Sequence, residues 1–217
     1  MRFHTLDQWL DWQSRLSPRA IQLGLDRVAG VWQRLRSRPL CCPVISVGGT
    51  NGKGSCVAFL EAILRAAGYR TGCYTSPHLV RYNERIRLDG VEVADSQICQ
   101  AFERVDQARQ GTKLTYFEFG TLAAFQVFQQ SELNVWLLEV GLGGRLDAVN
   151  ILDADCAVIT SIGIDHSDWL GTDRESIARE KAGIMRRGIP VVIGDPEPPS
   201  ELLDCAAGVG AAPALCL

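Results

Sequence analysis

A glycine-rich segment that joins an apolar run to an amphipathic stretch constrains the fold of this chain more than any other feature. Residues 44–47 read Val-Ile-Ser-Val, the composition of a short buried strand, and residues 48–55 contain four glycines. Helical spacing of apolar residues follows, and Gly68 stands where a helix would end. The apolar positions are Leu60, Ile63, Leu64 and Ala67. This order predicts a strand, a glycine loop and a helix.

Buried strands are also predicted by four further apolar runs, at residues 72–75, 135–140, 156–162 and 190–194. Amphipathic helical patterns stand before or between several of them. Parallel strands covered by helices on both faces read as such continuous runs, so the sequence predicts an α/β fold of the phosphate-loop type, with a doubly wound, mostly parallel sheet. Residues 86–93 differ, because they alternate around an Asp-Gly turn. That pattern predicts a small β-hairpin excursion from the main sheet.

The glycine loop has the features of a phosphate-binding loop. A turn between a buried strand and a helix N-terminus directs several backbone N–H groups at one point, and its glycines allow a phosphate to come close. Lys53 adds a positive charge, and the Ser55 hydroxyl is suited to support a phosphate or magnesium. The usual spacing is not met, because Val47 takes the first glycine position and Gly54 follows the lysine. The alternative is a glycine-rich turn with a solvated lysine.

Two further groups lie at predicted strand ends. Glu139 lies in the run 135–140, where a carboxylate is costly unless it is paired or bound to a cation. Asp165 and His166 follow the run 156–162. Ligands collect at the carboxyl ends of strands in open α/β sheets, so Glu139 is a candidate magnesium ligand there. The alternatives are a salt bridge from Glu139 to Arg145 or another basic residue, and a structural or exposed His166.

Other positions carry no functional signal on local sequence alone. Lys181, next to Glu180, is typical of a solvated helix lysine paired with its neighbours. His78 and the run 83–85, which reads Asn-Glu-Arg, indicate no particular chemistry.

Charge and hydropathy exclude two classes of partner. The formal net charge of −3 over 217 residues argues against a broad basic surface for nucleic acid. No stretch reaches the roughly 18 to 20 apolar residues that a bilayer span requires, and the first residues lack the apolar core of a signal peptide. We therefore expect a cytoplasmic protein that binds phosphate locally.

Six segments together resemble the dihydrofolate synthase and folylpolyglutamate synthase family, within the wider group of Mur-type amide ligases. They are GTNGKGS at 49–55, TSPHLVRYNERIR at 75–87, LTYFEFGTLAAF at 114–125, LEVGLGGRLDAVNI at 138–151, TSIGIDHSDWLG at 160–171 and REKAGI at 179–184. They occur in the family's order and spacing to about residue 198. The irregular loop, with Gly54 between Lys53 and Ser55, is itself typical of the family.

The resemblance implies an ATP-dependent carbon–nitrogen ligase with ATP and Mg²⁺ at its site. In the family, ATP activates the carboxylate of dihydropteroate or of a reduced folate as an acyl phosphate, which the amine of L-glutamate attacks. The implied ATP-binding residues are Gly49, Thr50, Asn51, Gly52, Lys53, Gly54 and Ser55. The implied magnesium ligands are Ser76, Glu139 and His166. The implied catalytic residues are Lys53, His166 and Lys181, and Lys181 matches a lysine that is carbamylated in the family.

The resemblance also implies a site for the pterin part of the substrate. The matching positions are Ile21, Gln22, Leu23, Thr115 and Leu146. The family commonly has an acidic residue where this chain has Gln22. The expected partners are dihydropteroate or a reduced folate and L-glutamate, without nucleic acid or membrane, and the chain is expected to be a monomer.

Length sets a further expectation, since family members continue into a second α/β domain of roughly equal size. We expect an ATP-binding domain at residues 1–195 and no second domain. We expect a truncated, irregular tail at 196–217, because the sequence after Asp204 is uncharged and poor in large side chains. Weak nucleotide binding and little ligase activity from the chain alone would follow. Two alternatives to a ligase remain open: a non-catalytic nucleotide- or pterin-binding fragment, or half of a split enzyme, and a small-molecule kinase.

Overall fold

An eight-stranded sheet with helices on both faces organises the chain. The computed structural model describes residues 2–17 and 21–216. In chain order its elements are α1 (Leu6–Ser14), α2 (Asp26–Leu35), β1 (Val44–Gly48), α3 (Lys53–Ala66), β2 (Thr71–Tyr74), β3 (Ile86–Leu88), β4 (Val91–Glu92), α4 (Asp95–Arg109), α5 (Tyr116–Gln129), β5 (Val135–Glu139), β6 (Cys156–Ile159), α6 (Ser167–Leu170), α7 (Arg174–Ala182), β7 (Pro190–Ile193), α8 (Ser200–Val209) and β8 (Ala212–Cys216). Short 3₁₀ helices lie at Tyr82–Arg85 and Ala148–Ile151.

The strand order is β4-β3-β2-β5-β1-β6-β7-β8. The strands from β2 to β8 in that order pair in parallel, whereas β3 pairs antiparallel with both β2 and β4. The predicted α/β fold with a doubly wound, mostly parallel sheet is therefore confirmed. The phosphate-loop strand β1 lies between β5 and β6, in the interior of the sheet.

Side-chain alternation along β5 divides the core into two layers. Val135 and Leu137 pack with Val57 of α3 on one face of the sheet. Trp136 and Leu138 pack on the other face, in the large cluster that contains the aromatic side chains of α4 and α5. Because the side-chain period of a strand is two residues, Glu139 continues the series of Val135 and Leu137 and lies on the α3 face.

Three local expectations are corrected by the structure. The predicted hairpin is present as β3 and β4, but it extends the main sheet through its pairing with β2 instead of leaving it. In α3 the predicted apolar position Ile63 is 64% exposed, and the buried residues are Val57 and Glu61.

The third correction concerns the segment that was expected to be an irregular tail. Within it, α8 packs against α7, with Leu202 and Ala206 buried, and β8 pairs in parallel with β7. Small side chains suffice here, because they allow two helices to approach closely. The domain boundary at residue 195 itself stays a prediction.

Within the described ranges, no helix has both the length and the apolar character of a bilayer span.

Candidate functional site

The loop between β1 and α3 leaves the N-terminus of α3 open. Gly52 takes the N-cap position with a left-handed backbone (φ 84°), and no side chain caps the helix. Asn51, Gly54 and Ser55 are exposed. The first N–H groups of a helix have no partner within the helix, so this end presents free donors and the positive end of the helix dipole. The arrangement fits a bound phosphate.

The loop is fastened to the residues that follow β6. The Thr50 N–H donates to the Ser161 carbonyl at 2.7 Å, and the Thr160 hydroxyl donates to the Asn51 carbonyl at 2.6 Å. Gly49 has φ 140°, and a Cβ there would lie 1.9 Å from the Thr160 hydroxyl oxygen. The close contact with the β6 end therefore requires glycine at position 49.

Lys53 and Lys181 converge on one carbonyl. The Lys53 ammonium donates to the Gly49 and Thr50 carbonyls at 3.1 Å each, and the Lys181 ammonium donates to the Gly49 carbonyl at 2.8 Å. Lys181 is 5% exposed, so the alternative of a solvated helix lysine is wrong. Burial, assisted by the charge of Lys53, lowers the pKa of Lys181 to about 8.

Glu139 faces the open end of α3. Its Oε2 accepts a hydrogen bond from the Ser76 N–H at 3.1 Å, so the ends of β5 and β2 meet here. Burial raises the pKa of Glu139, while the Ser76 N–H and the charge of Lys53 oppose that rise. A Cβ at Gly54 would lie 3.6 Å from Oε2, so the glycine after Lys53 leaves space between the carboxylate and the helix. The alternative of a salt bridge to Arg145 or another basic residue is not found among the described residues. Arg145 pairs with Glu180 at 2.8 Å, and no basic group lies within 4 Å of the Glu139 carboxylate there.

His166 follows β6 and is exposed. It precedes α6 with φ 50°, its side chain is 54% exposed, and its Nε2 lies 3.6 Å from Asp165. Within the described ranges no three His, Cys, Asp or Glu side chains form a metal-binding group. Magnesium bound with a nucleotide usually takes one or two protein carboxylates and completes its shell with phosphates and water. The oxygen donors of Ser76 and Glu139 fit that mode, and the role of His166 stays a prediction.

A cavity of about 890 Å³ adjoins the loop. Its lining includes Lys53, Ser76, Arg85 and His166. The five positions predicted for the pterin site all line the same cavity: Ile21, Gln22, Leu23, Thr115 and Leu146. The structure therefore brings Lys53 of the predicted nucleotide site and the predicted pterin residues to one cavity, although what each residue binds stays a prediction.

An ion pair and a helix cap stabilise the cavity wall at Gln22 and Thr115. Arg27 donates to the Gln22 carbonyl at 2.8 Å and to Glu118 Oε1 at 2.9 Å. Thr115 caps α5 in a reciprocal arrangement, since its hydroxyl accepts from the Glu118 N–H and its own N–H donates to Glu118 Oε2 at 2.7 Å. Glu118 therefore links the 21–23 segment to the start of α5.

Sequence reasoning missed two charged residues in the cavity wall. Asp147 is buried, accepts N–H groups of Leu142 and Val149 at 2.8 and 2.9 Å, and has its pKa raised to about 6 by burial. Arg85 is 9% exposed. Asp147 adjoins the predicted Leu146, which was a usable signal. Nothing in the local sequence distinguishes Arg85 from the arginines at positions 81 and 87.

Comparison with known proteins agrees with this geometry. Residues 47–193 match the Mur ligase middle domain. The dihydrofolate synthase/folylpolyglutamate synthase of Escherichia coli K12 is 53% identical over 206 residues, which are 95% of this chain and 49% of that protein. The chain spans about half the length of these curated relatives.

Solved structures show the same similarity. The structure of Escherichia coli FolC in complex with DHPP and ADP superposes with a TM-score of 0.92 at 51% identity, over 98% of this chain and 51% of that one. A bifunctional folylpolyglutamate synthase/dihydrofolate synthase with Mn, AMPPNP and L-glutamate bound gives a TM-score of 0.90 at 50% identity, over 98% of this chain and 52% of that one.

Proposed function

This chain belongs to the Mur ligase family, among the dihydrofolate synthase/folylpolyglutamate synthases, and we propose that it forms the ATP- and magnesium-binding part of a carbon–nitrogen ligase. The proposed reaction joins L-glutamate to dihydropteroate, to a reduced folate, or to both. The observation that carries this proposal is the cavity that runs from Lys53 and Ser76 to Gln22 and Thr115. One space thus has room for a phosphate donor at one end and a pterin acid at the other.

The chain's own groups have distinct roles in this reaction. ATP supplies a phosphoryl group that gives the acid a good leaving group, and magnesium neutralises phosphate charge. The open N-terminus of α3 and the ammonium of Lys53 orient the phosphates. Glu139 and Ser76 would hold the magnesium, and His166, whose side chain is about half exposed, would be a third ligand.

The environment of Lys181 favours carbamylation. A lysine must be neutral to react with carbon dioxide, and a pKa of about 8 leaves a usable neutral fraction near neutral pH. The amine nitrogen forms one bond to the carbon of CO₂ and releases one proton, which yields a carbamate with a single negative charge. Its remaining N–H can still donate to the Gly49 carbonyl, and the repulsion from Lys53 becomes an attraction.

We further propose that the protein acts in the cytoplasm as a monomer, independently of nucleic acid and membranes. The acidic balance, with a formal net charge of −3, supports the absence of a nucleic-acid partner.

The direct test measures phosphate release that depends on both ATP and L-glutamate, separately with dihydropteroate and with tetrahydrofolate. The chain is assayed alone and mixed with the second domain of a relative, because it spans about half of its relatives' length. We expect turnover in the mixture, little turnover by the chain alone, and loss of turnover in Lys53→Ala. Full turnover by Lys53→Ala would refute the role of Lys53.

The same measurements decide between an enzyme part and a non-catalytic binding module. Half the length of a relative is also what a nucleotide- or pterin-binding fragment would have. Such a fragment would bind an ATP analogue and pteroate in calorimetry, yet it would release no phosphate in the mixture with either acid.

A further inference from the structure

Arg85 is a buried cation with only neutral groups in contact. Its Nε donates to His78 Nδ1 at 2.8 Å, and its guanidinium lies 5.4 and 5.7 Å from the ring centroids of Tyr82 and Tyr116. Within the described part of the chain, no carboxylate oxygen comes within 4 Å of it. Glu139 feels its charge only from a greater distance.

Neighbouring arginines show that this is unusual for the segment. Arg81 is exposed and lies 3.5 Å from Asp95, and Arg87 is paired with Glu61 at 2.9 Å. Arg85, at 9% exposed the most buried of the three, lacks such a partner. Burying a cation costs several kcal/mol unless an anion compensates it. The missing anion at Arg85 therefore indicates a ligand.

The backbone holds Arg85 at the cavity wall. It ends the 3₁₀ helix Tyr82–Arg85, and its carbonyl accepts a hydrogen bond from the Thr75 N–H at 2.9 Å. That contact places Arg85 beside Thr75 and Ser76, the two residues that follow β2. Within the described residues the guanidinium has no carboxylate partner, and Arg85 lines the cavity together with Lys53 and Ser76.

Other cations near the cavity are already engaged. Lys53 donates to two carbonyls of its own loop, and Lys181 donates to Gly49. Arg27 is paired with Glu118. Arg85 is the arginine in the described lining of the cavity, and it has no carboxylate partner among the described residues. A guanidinium fork matches the two oxygens of a carboxylate.

We propose that Arg85 binds the carboxylate of the acid substrate and holds it next to the phosphate loop. This rests on the proposed function, in which that carboxylate must meet the phosphoryl group. The cavity also has apolar lining that suits the ring system, from Ile21, Leu23 and Leu146. Arg85 is thus a substrate-binding residue that selects an acid over a neutral analogue of the same shape.

The test compares two ligands that differ only in charge: pteroate and its carboxamide. Their affinities for the full chain are measured by calorimetry for wild type, Arg85→Met, Arg85→Lys and the control Arg81→Met. Wild type should prefer pteroate by about 10- to 100-fold, the range expected for a charge-assisted hydrogen-bonded pair. Arg85→Met should bind both ligands equally, Arg85→Lys should keep part of the preference, and Arg81→Met should match wild type.

Three outcomes would overturn the proposal, and they are distinguishable. If Arg85→Met prefers pteroate over the carboxamide as strongly as the wild type does, another group binds the carboxylate. If Arg85→Met instead weakens an ATP analogue as much as pteroate, or lowers the thermal stability enough to explain the loss, the residue serves the nucleotide or the fold. A wild-type chain that binds neither pterin ligand refutes the proposed function itself, and this proposal with it.

Discussion

The ammonium groups of Lys53 and Lys181 donate to the same atom, the carbonyl oxygen of Gly49, from 3.1 and 2.8 Å. A carbonyl oxygen has two lone pairs, so it can accept both hydrogen bonds. The two positive charges nevertheless repel each other in a buried place. Burial, together with this repulsion, lowers the pKa of Lys181, the more buried of the two, to about 8.

Replacing Lys181 by methionine should raise the stability of the protein at pH 7. Below a pH of about 8, Lys181 is charged in both the folded and the unfolded states, so the full cost of burying it is present. Between about 8 and 10.5 the folded state binds fewer protons, and stability rises with pH. We expect Lys181→Met to gain on the order of 2 kcal/mol at pH 7 and to lose most of that gain at pH 10.

Urea unfolding in buffers depleted of carbon dioxide measures this difference, and the exposed Lys113→Met is the matched control. A gain that is the same at both pH values would contradict the assignment of the pH dependence to Lys181.

Carbamylation of Lys181 should be visible directly. In ¹³C-enriched bicarbonate at pH 8, the wild type should show one carbamate carbon signal by NMR, because the neutral amine is then available. Lys181→Arg should lack the signal, whereas Lys113→Arg should keep it. A signal that persists in Lys181→Arg would place the reaction on another amine.

Substituting alanine for Gly49 should be far more damaging than the same change at Gly68. Both glycines have positive φ, but a Cβ at Gly49 would lie 1.9 Å from the Thr160 hydroxyl, and one at Gly68 would meet nothing within 4 Å. Gly68→Ala should therefore cost only about 1–2 kcal/mol of backbone strain. Gly49→Ala should cost clearly more and should also weaken binding of an ATP analogue. Equal losses of unfolding free energy in the two variants would show that the contact with Thr160 is unimportant.

Removing the charge of Arg27 should loosen the pterin end of the cavity. Arg27→Met loses the contacts to the Gln22 carbonyl and to Glu118, so we expect affinity for pteroate to fall by about tenfold. Affinity for an ATP analogue should not change, because Arg27 has no contact with the phosphate loop. Arg34→Met on the same helix is the control, since its Nε donates to the Ala108 carbonyl. A comparable loss of pteroate affinity in Arg34→Met would mean that helix α2 as a whole matters, not Arg27.

Sequence patterns predicted the fold well because its strands are covered on both faces. Continuous apolar runs marked β1, β2, β5, β6 and β7 to within a few residues at each end. The hairpin was placed wrongly because alternation reveals a strand but not its pairing partner. Ile63 fits the helical spacing but is exposed, because that spacing defines an apolar stripe without showing how far the sheet covers it.

Some residues of the candidate site could be predicted from the local sequence, and others could not. The loop and Glu139 stood out locally, since a glycine cluster and a carboxylate in an apolar run both violate ordinary strand composition. Lys181 was recognised only through the resemblance, because its burial depends on Gly49, which is 132 residues away. Arg85 was missed for the same reason: a charge without a counter-ion can be seen only when every neighbour is in place.

The position of β1 in the sheet has a consequence for biosynthesis. Its two neighbours, β5 and β6, are paired from Trp136 and Cys156 onward, more than 90 residues after Val44. Closing such long loops is slow, and it cannot begin until those residues leave the ribosome. The glycine loop is therefore among the first parts of the site to be synthesised and among the last to reach its native conformation. A nucleotide that binds the finished loop can act as a late check on folding, because it stabilises only chains in which β1 has found both partners.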